Sequence, residues 1–337
     1  MRPTIRDVAR RLNLSITTVS RALDGYADVA ENTRRLVFQT AQEMGYSPNR
    51  AARQLRRQRA ETLGYIIPSV SAGFADPFFA EFIAGLGDEA SAHNYDLLVT
   101  TASPASPAEK AAYQRWAQGG KVDGMVLNRI YLDDWRLRYL AGQGIPHVSL
   151  ERSPSQPDFV GIEADSYTGF LELLAHLVNQ GHSRIAYIGG NAELKIDHDR
   201  YSGYLAGLGA VSILPDPVLV ARANLTPQGG YQAAGHLLGL AAPPTAIVCV
   251  NDLTAIGAMH AAHERGLKVG RDIAIAGFDG IADSAHTQPS LTTLDIPVYN
   301  LARQLVIMLL ALINGETLPD RQVKIQPILV IRASTGG

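Results

Sequence analysis

The apolar positions of the first sixty residues fall at helical spacing. Ile5, Val8, Ala9 and Leu12 recur at i, i+3, i+4 and i+7 behind Thr4, a good N-cap, with Asp7 placed as the acid of a capping box. Asn13-Leu14-Ser15 breaks the run. Ser15 is placed to cap a second helix over 16–23, which turns Val19 and Leu23 inward and Thr17, Ser20 and Arg21 outward until Asp24-Gly25 stops it. A third helix is expected over 31–44, with Val37, Ala41 and Met44 on one face and Gly45 at its end. Two short helices joined by a tight turn, the second bearing small polar residues and an arginine, are a helix-turn-helix whose second helix suits the major groove. The same pattern also describes a plain three-helix bundle.

The stretch that follows, Ser47-Pro48-Asn49-Arg50-Ala51-Ala52-Arg53-Gln54-Leu55, admits Pro48 in a first helical turn and is Ala-rich. Five arginines between 50 and 59 leave it little apolar surface, so it is marginally helical by itself. Composition describes a basic flexible linker equally well.

From Thr62 the pattern changes. Short apolar runs at 63–68, 95–100, 124–128, 147–150, 184–190, 246–250 and 273–278 predict strands, separated by helical stretches near 77–93, 107–119, 165–180, 197–208, 227–240, 251–265 and 297–314. Such alternation predicts an α/β fold of parallel sheets covered on both faces. The strands are too many for one sheet, and a break near 159–163 suggests two. Two later apolar strands, around 291–296 and 323–330, are placed where the chain could cross back between lobes. Ligands of such folds bind beyond the carboxyl ends of the strands. Asn128, Asn251-Asp252 and Asp279 stand at those ends, and Arg200 opens a helix after a loop. Amides, carboxylates and an arginine fork are the groups that grip vicinal hydroxyls.

Charge sharpens this division. Residues 1–61 hold twelve arginines against six acids, a net of +6, and the remainder holds 18 basic against 26 acidic residues, a net of −8. A basic head on an acidic body points to a polyanion as the head's partner. Hydrophobic residues make up 46% of the chain, yet no run reaches the roughly 18 apolar residues of a membrane span. The first residues lack the apolar stretch of a secretory signal, and Cys249 is the one cysteine, so a reducing cytoplasm is the expected location. No nucleophile elbow, phosphate-binding glycine loop or metal-spaced Cys/His cluster is visible, and the aspartates sit singly in different units. His176 and His182 flank a helix end, where histidines are commonly structural. Neither an enzyme nor a cofactor is expected.

The head carries a resemblance. TIRDVARRLNLSITTVSRALDG, followed by TRRLVFQTAQEMGYSPNRAARQL, resembles the DNA-binding head of the LacI/GalR repressor family without a gap. The match decides against the plain bundle. It implies that Ile16 and Thr17 choose the operator sequence, that Arg21 reads a base, and that Thr18 and Ser20 lie against the backbone. Thr4, Ser15 and Asn49 join the same DNA-contacting set. It further implies a hinge helix that folds on the operator, paired with its twin in the minor groove, with Leu55 wedged into the central step and Ala52 beside it. One position departs: where the family has a serine before the third helix this chain has Ala30, a cap loss of about 1 kcal/mol.

The body also resembles that family. GHSRIAYIGG, TAIVCVNDLTAIGAM, IAIAGFDG, PSLTTLDIP and IRAST stand in the family's order and imply a periplasmic-binding-protein-like pair of lobes joined by three crossovers. The expected organisation is a DNA-binding domain over 1–46, a hinge over 47–61 and a sensor over 62–337. Its N-lobe is expected at about 62–161 and 293–321, its C-lobe at about 162–292 and 322–337. Family members that bind sugars use residues matching Asn128, Arg200, Asn251 and Asp279. The Asp76-Pro77-Phe78-Phe79 opening of the first body helix resembles a segment supplying a polar contact and a stacking aromatic, with Phe78 and Phe79 also readable as core. Asp165 could add a carboxylate, whereas Asp252 is expected to cap its helix. The family's aromatic or polar wall near Asn224 and Leu225 is not matched by an aromatic here. No leucine heptad follows IRASTGG, so a homodimer on a palindromic double-stranded operator is expected. The expected effector is a sugar acting as inducer; a purine-like co-repressor or control by a protein partner are the alternatives.

Overall fold

A computed structural model describes residues 3–26, 28–46, 59–68 and 76–336. Asn49, Ala52, Leu55 and residues 47–58 of the hinge expected over 47–61 lie outside the described residues. The chain divides into two units, Met1–Ala60 and Glu61–Gly337.

The head is built from α1 (Ile5–Leu12), α2 (Ile16–Leu23) and α3 (Glu31–Glu43). The Asp7 carboxylate accepts from the Thr4 N–H at 2.9 Å and from its hydroxyl at 2.7 Å, and Ser15 Oγ accepts from Thr18 N–H at 2.9 Å. Val8, Ala9, Val19, Ala22 and Val37 bury at the centre. Ala22 faces inward with Val19 more fully than Leu23, which packs at the margin. The third helix starts at Glu31 with no side-chain cap from Ala30, as its sequence implies.

The second unit opens with β1 (Thr62–Pro68), α4 (Pro77–Ala92), β2 (Asp96–Ala102), α5 (Pro107–Gln118), β3 (Gly124–Leu127), α6 (Trp135–Gly142), β4 (His147–Leu150) and β5 (Gly161–Ala164). Then come α7 (Ser166–Asn179), β6 (Ile185–Gly189), α8 (Lys195–Ala210), β7 (Val220–Arg222), α9 (Pro227–Leu238), β8 (Ala246–Cys249), α10 (Asp252–Glu264), β9 (Ala274–Asp279) and β10 (Thr292–Asp295). It ends with α11 (Val298–Asn314), β11 (Gln322–Ile325) and β12 (Ile328–Val330). Two six-stranded sheets result, ordered β11-β5-β4-β3-β1-β2 and β12-β10-β9-β8-β6-β7. All described pairings are parallel except β10 with β12.

Three expectations about the lobes need correction. The region near 159–163 is not a break, because Gly161–Ala164 forms a strand of the first sheet and the chain passes to the second lobe at Asp165. The strand at 292–295 belongs to the second sheet, in register with β9 (Thr293 opposite Gly277), so the return to the first lobe follows Asp295. The apolar run at 323–330 is two strands, one in each sheet: Lys324 lies opposite Glu163, and Leu329 opposite Leu294. Pro327 stands between them, and a residue without an N–H cannot continue a ladder. The first sheet thus owns 62–164 and the segment from α11 through β11.

Helices cover both faces of each sheet, and glycines set how closely some pack. A Cβ on Gly257 of α10 would lie 1.9 Å from the Pro227 carbonyl oxygen of α9. That neighbour is backbone and cannot swing away, so Gly257→Ala is expected to lose about 1–3 kcal/mol by overpacking. A chemical-denaturation midpoint equal to that of the parent would contradict it. No helix among the described residues is long and apolar enough to cross a membrane.

Candidate functional site

On the head, the N-terminal half of α2 is the face its fold leaves free. Ser15, Ile16, Thr17 and Arg21 are exposed, Thr18 and Ser20 half-buried, while Val19 and Ala22 anchor the helix from below. Thr4 is exposed at the start of α1. Arg21 pairs with Asp28 at 2.5 Å and stands over the Tyr26 ring, 4.7 Å from its centroid.

In the second unit, a cavity lies between the lobes beyond the carboxyl ends of the strands. Asp76, Phe78, Asn128, Arg200, Asn251 and Asp279 all line it. Arg200, from α8, is buried and stands 3.5 Å from the Phe278 ring centroid; it donates to the Val250 carbonyl and to Asp279. Asn251 caps α10, its Oδ1 accepting from Thr254 N–H at 3.1 Å, and its Nδ2 donates to the Leu225 carbonyl at 3.3 Å. Asp76 caps α4 through Phe78 N–H and pairs with Arg129 at 3.0 Å.

Asn128 is different. It is 2% exposed, yet neither its Nδ2 nor its Oδ1 has a hydrogen-bond partner, and Arg200 Nε is likewise buried and unpartnered. Buried amides are ordinarily satisfied, and leaving one bare costs about 1–3 kcal/mol.

Three expected roles shift. Phe79 is 5% exposed in the core with Phe82 and Leu86, because it occupies the inward face of α4 one residue past the cavity-lining Phe78. Asp165 does not line the cavity: it caps α7 at Thr168 and is held by Lys324 at 2.8 Å and Gln326 at 3.0 Å, leaving Ser166 on the wall. Asp252 is not the cap of α10. It accepts from Thr293 Oγ1 at 2.6 Å and Ile281 N–H at 3.0 Å, tying the helix to the sheet, while Asn251 takes the cap.

Sequence patterns missed Arg129, Glu151, Asp199 and Ile196, which also line the cavity. Arg129, Glu151, Leu225 and Asp279 share a feature: each is a non-glycine residue with positive φ, at 47°, 79°, 64° and 112°. Such backbone costs about 1–3 kcal/mol each and clusters at ligand sites. Between the lobes the backbone also joins directly, Leu132 N–H donating to the Glu193 carbonyl and Lys195 N–H to the Ile130 carbonyl, each at 2.8 Å.

Burial pushes the Asp279 carboxyl up to about 7 against the opposing pull of Arg200, and Glu151 to about 8 despite the Ile130 N–H it accepts. A ligand hydroxyl donating to Asp279 favours its charged form. Ligand binding is therefore expected to release protons near neutrality, with affinity rising as pH increases from 6 to 8, by up to about tenfold per unit below pH 7 for one group. Titration calorimetry in buffers of differing ionisation enthalpy reads this, and affinity that falls over that range would contradict it. In the free protein the sign is opposite. The fold holds more protons than the unfolded chain between the ordinary carboxylate range and about 7, so Asp279 erodes stability as pH rises through that window.

The comparisons with known proteins bear on both units. The family model for bacterial regulatory proteins of the lacI family matches residues 4–49, and that for a periplasmic binding protein-like domain matches 174–335. The HTH-type transcriptional repressor CytR of Escherichia coli (strain K12) is 33% identical over 336 residues, covering 98% of this chain and 96% of its own. The chain belongs to the LacI family. The HTH-type transcriptional regulator AglR of Rhizobium meliloti (strain 1021) is 32% identical over 98% of this chain and 94% of its own. Among solved structures, the lac repressor dimer bound to operator and the anti-inducer ONPF has a TM-score of 0.85 at 28% identity, covering 99% of both chains. The transcriptional regulator CelR in complex with cellobiose has a TM-score of 0.76 at 28% identity, covering 99% of this chain and all of that one. This LacI-family chain is thus a DNA-binding transcription regulator built on the two-lobed periplasmic-binding fold, not an enzyme.

Proposed function

We propose that this regulator is a cytoplasmic repressor that binds a palindromic operator as a homodimer and releases it when a sugar enters the cleft between its lobes. The domains over 1–46, 47–61 and 62–337 would then act as reader, hinge and sensor. The observation that carries the sugar reading is the unpartnered Asn128 amide in the lining of the cavity that Arg200 and Asp279 also line. A planar amide, a guanidinium and a carboxylate around one cavity supply the paired donors and acceptors that vicinal hydroxyls need. The likeness to a cellobiose-bound regulator supports a carbohydrate. The switching is thermodynamic: a ligand that prefers one lobe arrangement biases the hinges and so the affinity for DNA. A coupling of about 1–3 kcal/mol changes operator affinity roughly 5- to 150-fold.

A thermal-shift screen against neutral sugars, sugar phosphates and purines, read beside operator gel shifts, tests this. Stabilisation by a neutral sugar together with loss of the shifted band is the expected result. Stabilisation by a purine with tighter DNA binding would replace the inducer reading with co-repression.

A further inference from the structure

Among the described residues, Arg136 is the largest side chain that the fold encloses fully, and it is not part of the lining of the Asn128 cavity. It stands in the first turn of α6 behind Asp134, which caps that helix. Its Nε and Nη2 donate to the Asp134 carboxylate at 3.0 and 2.6 Å, and its Nη1 stands 3.6 Å from Glu109 of α5. Nη2 also donates to the Asn128 carbonyl at 3.3 Å and the Arg129 carbonyl at 2.9 Å. We infer that Arg136 is a positioning residue for the effector site: by holding those two carbonyls it sets the chain as it leaves β3, so that Asn128 and Arg129 line the cavity. The inference rests on reading that cavity as a sugar site.

Three observations carry it. The first is what stability alone does not explain. An enclosed guanidinium gives up its hydration, and a buried ionic cluster is often no more stabilising than apolar residues of the same volume. An apolar side chain could fill this space, but it could not donate to two carbonyls. The second is backbone conformation. Arg129 is left-handed at φ 47°, a state that persists where its surroundings hold it. The consecutive carbonyls of Asn128 and Arg129 meet one nitrogen of Arg136, while the Arg129 side chain crosses to Asp76 at 3.0 Å and to the Pro68 carbonyl at 3.4 Å. The third is where the segment leads. Asp134, fixed by Arg136, accepts from Tyr131 N–H at 3.0 Å. Between these two anchors lie the Ile130 carbonyl and, next to Tyr131, the Leu132 N–H, which bond Lys195 and Glu193 of the second lobe. One side chain thus fixes a segment that lines the cavity at one end and meets the other lobe at the other. The planar fork is needed for this, because the single ammonium of a lysine cannot serve Asp134 and both carbonyls in one geometry.

Arg136→Lys keeps the charge and removes the fork, whereas Glu109→Gln disturbs the same buried cluster without touching either carbonyl. Both are made in the full chain and compared with the parent by calorimetry with glucose, galactose, ribose and cellobiose, and by amide hydrogen exchange. R136K is expected to bind the sugar the parent prefers about tenfold more weakly, the scale of one misplaced hydrogen bond, and E109Q to bind it within about twofold. In R136K the Leu132 and Lys195 amides, which bond across the lobes, are expected to exchange about tenfold faster. The Met125 and Ile145 amides, bonded within the first lobe, should keep their parent rates. Should R136K not fold, Arg136→Gln combined with Glu109→Gln gives the same readings, since it removes the fork together with one carboxylate that it offsets. Parent-like affinity in R136K, an equal loss in E109Q, or faster exchange at all four amides together overturns the positioning role. No sugar binding by the parent overturns the sugar reading alone, and the exchange pattern then decides the role of Arg136 by itself.

Discussion

Arg200→Ala is expected to abolish the effector response and to leave operator binding intact. The guanidinium is buried over Phe278, anchored by the Val250 carbonyl and Asp279, and it keeps an unpartnered Nε at the cavity. A ligand gripped by that fork loses charge-assisted hydrogen bonds when it is truncated, which costs about 2–5 kcal/mol, or at least roughly 30-fold in affinity. The fold is expected to tolerate the change. Without Arg200 the Asp279 pKa rises further, so the carboxyl is protonated at neutral pH instead of standing as a bare buried charge. Calorimetry with the effector and gel shifts with and without it separate the outcomes. A variant that still lets go of DNA on adding ligand would put the controlling site elsewhere.

Arg21→Ala is expected to cost the head its discrimination between operator and random duplex. A bidentate arginine–base pair is worth about 1–3 kcal/mol of discrimination. In the free head Arg21 is committed to Asp28, but both partners are exposed, and such a pair contributes only about 0–1 kcal/mol. The base edge therefore wins the competition, and operator affinity is expected to fall by about 5- to 150-fold. The salt slope, which reports phosphate contacts, should change by no more than about one. Asp28→Asn, which releases Arg21 from its intramolecular partner, is expected to tighten operator binding by a smaller factor. Unchanged preference for the operator in Arg21→Ala, measured by competition against random DNA, would remove this residue from base reading.

Some elements were readable because their causes are local. The caps Thr4 and Ser15, the i, i+3, i+4 spacing and the breaks at Asn13 and Gly25 act within one or two turns, so the three head helices stood within a residue of their observed bounds. The main strands of the body announce themselves as apolar runs because parallel strands are buried on both faces. Asn128, Asn251 and Asp279 were reachable as the polar residues following those runs, and Asp76 through the family resemblance; Arg200, expected to open a helix, stands in the second turn of α8, and the structure brings all five around one cavity.

Other elements were hidden for identifiable reasons. The helix α6 carries Arg136 on its buried side, where Asp134 and Glu109 neutralise it, so its inward face does not read as apolar. The strand β7 has only three residues at a sheet edge, and β5, Gly161-Ile162-Glu163-Ala164, lacks the apolar run that marked the equally short β3, β4 and β8.

Period and capping are properties of neighbours along the chain, so the order of the longer helices and of the apolar strands follows from the residues taken alone, as do the basic head and the polar strand ends. Which sheet each crossing strand joins, how Phe78 reaches the cavity while Phe79 turns inward, and why Asp252 braces a sheet depend on partners dozens of residues away. The left-handed backbone at Arg129, Glu151 and Asp279 and the unsatisfied Asn128 amide likewise show no mark in the order of residues, because they are set by how the strand ends pack in the fold.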